Sequence, residues 1–156
     1  MILVDGHNLI GRGLRLPLSR EEEGRRRVVE RLSAWASSRR EPVTVVFDGD
    51  RAGGTQTGRL GALGVVYSPS TRTADDEILR LLRKTNPRSV LVVTSDRRLA
   101  VRVRGLGGRV ETAEAFWARI RPSSPGVVEP EKPEPAEEEV EEWLRLFRQG
   151  KAPRRQ

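Results

Sequence analysis

Six polar residues in this sequence stand where they could do chemistry together: Asp5, Asn8, Asp48, Asp75, Asp76 and Asp96. Asp5 follows an apolar run at 1–4, Asp48 closes the run 43–47, and Asp96 follows the run 89–93 through Thr94-Ser95. Asp75 and Asp76 open a predicted helix over 73–85 that comes after a predicted strand at 63–67. If the strands are parallel they all point one way, and these acids converge on the carboxyl edge of the sheet, where open α/β folds bind ligands. Carboxylates gathered so closely repel one another unless a cation neutralises them. The chain has no cysteine and a single histidine, so the ligands on offer are oxygens. Oxygen ligands suit Mg²⁺ or Mn²⁺ better than zinc. A hard divalent ion at that edge would activate a water and stabilise the charge developing on a phosphodiester.

Each residue also has a plainer use. Thr73-x-x-Asp76 is a capping-box-like helix start, so Asp76 reads equally as a cap and as a site residue. Asp75 is not needed for that box. Asp48 and Asp96 would serve as strand termini or turn residues, and Asn8 would cap a turn or hold a carboxylate or water by its amide. Asp5, directly after a buried strand, is less easily explained by such a use. His7 reads as an incidental loop residue and stays outside the catalytic set. What carries weight is the coincidence of four acidic positions at equivalent ends.

The elements that must position them are strands alternating with helices. Beyond the strands above, helical spacing of Val28, Val29, Leu32 and Trp35 predicts a helix over about 19–38. A helix over about 97–104, a short strand near 109–110 and a helix at 112–120 complete the body. The segments 6–19 and 49–58 read as loops from their Gly, Pro and Arg content. Because the strands are continuous apolar runs, both faces of the sheet should be covered. The expected fold class is α/β, three-layered and Rossmann-like, with a mostly parallel central sheet.

The body spans 1–121, and a Pro-rich linker with five prolines follows at 122–135. Residues 136–149 form an amphipathic helix with Val140, Trp143, Leu144 and Phe147 on one face, and 150–156 is a basic tail. So apolar a face should dock on the body or on another subunit, and the sequence is compatible with a homodimer.

Net charge is +7 with a pI near 11.0, which favours a polyanionic partner. The excess belongs to the body: residues 1–121 carry 23 basic and 14 acidic side chains, the remainder 6 and 8. Arg12, Arg15, Arg51, Arg59 and Arg72 fall in loops expected on the acidic edge and would contact the phosphates of a nucleic acid, although so arginine-rich a chain would also place them there as solvated surface. Trp35, Trp117 and Trp143 all fit helix faces, leaving no obvious base-stacking platform. No apolar run approaches the roughly 20 residues a membrane span needs. The opening MILVDGHN does not resemble a secretion signal, and with cysteine absent a cytoplasmic setting is expected.

The segments ILVDGHNLI, VVFDGD, TADDEILRLL and VLVVTSDRRL stand in the order expected of the NYN branch of PIN-like nucleases, and the chain resembles the bacterial YacP-type NYN proteins over roughly 1–120. The helix at 136–149 resembles the extension common in that group. The resemblance implies a PIN fold and Mg²⁺- or Mn²⁺-dependent endoribonuclease activity on RNA, free or presented on a ribonucleoprotein such as the ribosome. It makes Asp5, Asp75 and Asp96 the metal ligands and Asn8 their polar partner, with Asp48 and Asp76 as further members. Asp50 and the glycine-rich GDRAGGTQTG loop depart from the family pattern.

Two other readings compete. VVFDGD also resembles the first motif of haloacid-dehalogenase-type phosphatases, with Asp48 as nucleophile, Asp50 as acid and Thr94 as phosphate-binding hydroxyl. There the late acids follow the Ser/Thr motif, whereas Asp75-Asp76 precede Thr94. A non-catalytic RNA-binding adaptor would share the basic body and bind without turnover. Neither G-x-G-x-x-G nor a P-loop occurs.

Overall fold

The apolar run at the N-terminus forms β1 (Ile2–Asp5), buried at every position. It lies between β2 (Val43–Phe47) and β5 (Leu91–Val93), parallel to both. The structure, a computed structural model, describes residues 1–49, 54–122 and 137–150. Within them β3 (Gln56–Leu60), β4 (Leu63–Tyr67) and β6 (Arg109–Glu111) complete a six-stranded sheet in the order β3-β4-β2-β1-β5-β6. All neighbours are parallel except β3 and β4. From β1 the chain first builds outward through β2, then returns to place β5 on the other side. This reversal puts the carboxyl end of β1, and hence Asp5, at the switch point where such sheets open a crevice.

Alternate strand residues feed two cores. Ile2, Val4, Val43, Val45 and Val65 face α2 (Glu21–Arg39), α5 (Ala113–Ile120) and α6 (Glu137–Arg148). Leu3, Val46, Val66 and Val92 face α3 (Ala74–Arg83) and α4 (Arg97–Gly105). The expected three-layer fold is present. Glu21–Glu23 and Arg39 sit at the two ends of α2, each where its charge opposes the helix dipole.

Both expected loops hold more structure than their composition suggests. After β1 the chain makes one helical turn, α1 (Gly6–Asn8), a wide π turn over Leu9–Leu14 and a 3₁₀ turn over Leu18–Arg20. A Cβ on Gly6 would stand 2.4 Å from the Phe47 ring, so only glycine lets α1 cross this close to β2. The segment 49–58 is not wholly loop, since β3 begins at Gln56 and pairs antiparallel with β4. Burial along β3 alternates, but the inward position at 58 is glycine, so the sequence shows no apolar rhythm there.

The C-terminal helix docks on its own body. Val140, Trp143, Leu144 and Phe147 join the core on the α2 side. Phe147 meets Tyr67 at 5.1 Å between ring centroids, and Trp143 stacks on Phe147 at 5.1 Å. A Cβ on Gly58 would stand 2.3 Å from Phe147, so a bare backbone there is what admits the ring. Arg148 closes the contact with an ion pair to Glu22 at 2.6 Å. The expected linker lies outside the described residues except Pro122, as do Asp50, Arg51 and the tail at 151–156. No helix among the described residues is long and apolar enough to cross a membrane.

Candidate active site

Asp5 is buried at 6% exposure at the end of β1, and two groups hold its carboxylate. Its Oδ1 accepts the Asn8 N–H at 3.4 Å, and its Oδ2 accepts from the Thr94 hydroxyl at 3.1 Å. The same Thr94 oxygen accepts the Asp96 N–H at 3.1 Å. Asn8 in turn accepts the Ser95 N–H at 2.6 Å. Thus the turn after β1 and the turn after β5 are tied together by side chains of the site. Thr94→Val keeps the shape but removes both hydroxyl contacts. It should destabilise the fold by about 1–3 kcal/mol, because Asp5 loses a buried donor; urea unfolding of the two proteins measures this directly.

Asp48 and Asp96 are fixed at the edge by N–H groups of the helix starts. Asp48 Oδ1 accepts the Ala74 N–H at 2.6 Å, pinning the start of α3 beside β2. Asp96 is the N-cap of α4, accepting from Arg98 N–H at 2.8 Å and Leu99 N–H at 3.3 Å. Thr73 caps α3 by accepting the Asp76 N–H at 3.1 Å. Asp75 is half-buried. A shallow cleft of about 470 Å³ is lined by Asp5, His7, Asn8, Arg12, Asp48 and Asp75 with their neighbours. Asp96 stands close enough to act electrostatically on Asp75. Asp76 is exposed outside the cleft, where its backbone serves the cap.

Crowding shows in the acid strengths. Burial, then the neighbouring Asp75, pushes the Asp5 carboxyl up to about 7, against hydrogen bonds from Thr94 and Asn8 that favour its anion. Asp75 is raised by burial and by Asp96, Asp48 and Asp76, with Arg102 opposing. Among the described residues no three carboxylate or imidazole side chains stand close enough to share one ion as they lie. Asp5, Asp48 and Asp96 are each turned toward a backbone N–H by the bonds above. The donor set nonetheless fits a hard cation in kind: hard oxygens, two of them on acids whose charge their surroundings oppose.

The lone histidine belongs to this edge. His7 Nε2 accepts the Asp48 N–H at 3.0 Å, and Nδ1 lies 2.8 Å from Glu21. The ring proton therefore sits on Nδ1, and the imidazole props Asp48 against α2 as a positioning residue. Its partners lie far off along the chain, so nothing adjacent to His7 could have revealed the role. Thr94, which the sequence suggests only as a phosphatase hydroxyl, is the second residue missed; its signal was the Thr-Ser-Asp ending of a buried strand.

The arginines divide. Arg12 lines the cleft, while Arg15 stands farther out in a left-handed conformation (φ 59°) beside Trp117. Arg72 is at the edge but engaged, donating to Thr55 at 3.1 Å and pairing with Glu77 at 3.7 Å. Arg59 is not in an edge loop. It sits in β3 opposite Gly64, toward the amino end of β4 and away from the acids. The antiparallel course of β3 carries it there.

A family model described as the YacP-like NYN domain matches residues 2–145. The chain belongs to the YacP-like NYN domain family. A solved structure of Rae1 (YacP) from Bacillus subtilis, as a W164L mutant, is similar with 26% identity and a TM-score of 0.62, covering 76% of this chain and 73% of that one. A second structure of Rae1 (YacP) from Bacillus subtilis, 22% identical, shares the fold with a TM-score of 0.63 over 96% of this chain and 80% of that one. No curated protein matches the chain. The NYN match spans the body and most of α6, and the family has a PIN-like nuclease fold.

Proposed function

We propose that this NYN protein is a metal-dependent endoribonuclease that hydrolyses RNA phosphodiester bonds at the carboxyl edge of its sheet. The observation that carries this reading is Asp5. A carboxyl buried at the switch point, beside Asp75 and with its pKa pushed up to about 7, is a poor structural choice and a good cation ligand.

Asp5, Asp75 and Asp96 would hold Mg²⁺ or Mn²⁺. When bound, the ion neutralises charge building on the phosphodiester and acidifies a water. The remaining work falls to the chain. Thr94 and Asn8 hold Asp5 and the β5 turn in one register. Asp48, propped by His7, fixes the start of α3 and thereby Asp75. Arg12 brings positive charge to the cleft for a phosphate. RNA is the substrate that fits a basic body around this edge.

The test is cleavage of end-labelled single-stranded and structured RNA by the whole chain in Mg²⁺, Mn²⁺ or EDTA. Internal cuts with either metal and none in EDTA are expected. Binding without products in every condition would make the protein an adaptor instead.

A further inference from the structure

Beside the aspartate cleft lies a second cavity of about 750 Å³, a size usual for small-molecule sites. It shares His7 and Asp48 with the cleft. On its far side it shares Arg25, Tyr67 and Arg148 with a groove of about 710 Å³ that continues between α2 and α6. Cleft, cavity and groove thus share walls in sequence from the acids to the C-terminal helix.

The walls of the cavity carry two guanidinium groups, Arg25 and Arg148, along with the carboxylates of Glu21 and Asp48. Arg25 comes from α2 and Arg148 from α6. The Arg25 Nε is buried without a hydrogen-bond partner, and its guanidinium reaches Glu21 only at 3.6 Å. The Tyr67 ring is held between Phe47 at 5.4 Å and Phe147 at 5.1 Å. Its buried hydroxyl lies beside the Arg148 guanidinium, yet no hydrogen bond of ordinary geometry forms. Gln56 and Ser68 add an amide and a hydroxyl to the lining. Cations, unmet donors and nucleotide-sized space next to the acids describe a seat for one unit of a nucleic-acid strand.

We infer that this cavity seats the nucleotide adjoining the bond to be cut, with Arg25 and Arg148 holding its phosphate. The inference rests on the ribonuclease reading and deepens it: α6 becomes one wall of the substrate path as well as a cover for the core. Glu22, which pairs with Arg148 at the rim, then competes with RNA for that guanidinium.

The test uses the full chain in EDTA, with a fluorescein-labelled single-stranded oligoribonucleotide followed by anisotropy across a salt series. Arg148→Ala should weaken binding about tenfold, the scale of one charge-assisted hydrogen bond. It should also flatten the plot of log affinity against log salt by about 0.7, one phosphate contact on a single strand. Arg148→Lys should restore the slope, and Glu22→Gln should tighten binding by freeing the guanidinium. If Arg148 only braced the helix, Arg148→Ala and Glu22→Gln would both lower stability and leave the salt slope alone, and the inference would fall. Unchanged RNA affinity in Arg148→Ala, beside intact metal-dependent cleavage by wild type, would overturn the seat while sparing the ribonuclease reading. RNA binding by neither protein, with no cleavage by wild type, would overturn both.

Discussion

Asp5→Asn is expected to give a protein that is more stable than wild type at neutral and alkaline pH and no longer cuts RNA. The amide is nearly the shape of the carboxyl. Its oxygen accepts the Asn8 N–H, and its NH₂ donates to Thr94, where Asp5 now accepts. What disappears is a charge that the fold disfavours. A carboxyl whose folded pKa lies above its unfolded value binds its proton more tightly when folded, so stability falls as pH rises between the two. For Asp5 that window runs from 3.8 to about 7. Above it the full cost reaches about 4 kcal/mol, because each tenfold change in acid strength is worth about 1.4 kcal/mol. Urea unfolding in EDTA isolates the effect from cation binding. The advantage of Asp5→Asn should grow by about 2–3 kcal/mol between about pH 5 and about pH 8. A variant less stable than wild type at the higher pH would show that Asp5 is a structural anion, and its assignment to a cation would fail.

The second large effect is on rate. Asp96→Asn should lower cleavage on the order of 10²–10³-fold, the scale of removing one electrostatic stabiliser from an active site. Asp96 caps α4 through Oδ1, and asparagine caps about as well as aspartate. The Asn variant therefore separates charge from cap. Asp96→Ala should be as inactive as Asp96→Asn and about 1 kcal/mol less stable by thermal or urea unfolding. Wild-type cleavage by Asp96→Asn would reduce Asp96 to its capping role.

The acids could be read from the sequence because each follows a buried strand or opens a helix, and continuous apolar strands alternating with helices indicate a parallel sheet. Asp5, Asp48, Asp75 and Asp96 needed no more than that to reach one edge. Asp76 was ambiguous for a physical reason: a helix's first turn uses acidic residues whether or not a site is present. What was hidden depended on contacts across the chain. His7 is defined by Glu21 and Asp48, and Thr94 by Asp5. β3 was hidden because an edge strand with a glycine under Phe147 has no periodicity of its own. Its antiparallel return is also what removed Arg59 from the acidic edge. The apolar face of α6 was plain, whereas its docking place depended on the Gly58 gap and the Tyr67 ring, neither of which points to a helix in isolation.

Asp75 offers the most direct trial of the metal-dependent nuclease. It is not the N-cap of α3, its carboxylate makes no hydrogen bond among the described residues, and it is half-buried among like charges. Replacing it by asparagine relieves repulsion and leaves the scaffold alone, so a lost activity can be assigned to chemistry. The measurement is single-turnover cleavage of labelled RNA by wild type and Asp75→Asn, side by side in Mn²⁺ and in EDTA. Wild type should cut in Mn²⁺ alone, and a folded, equally stable Asp75→Asn should cut on the order of 10²-fold more slowly or not at all. Equal rates in the two proteins, or cutting that persists in EDTA, would contradict a metal held by these aspartates.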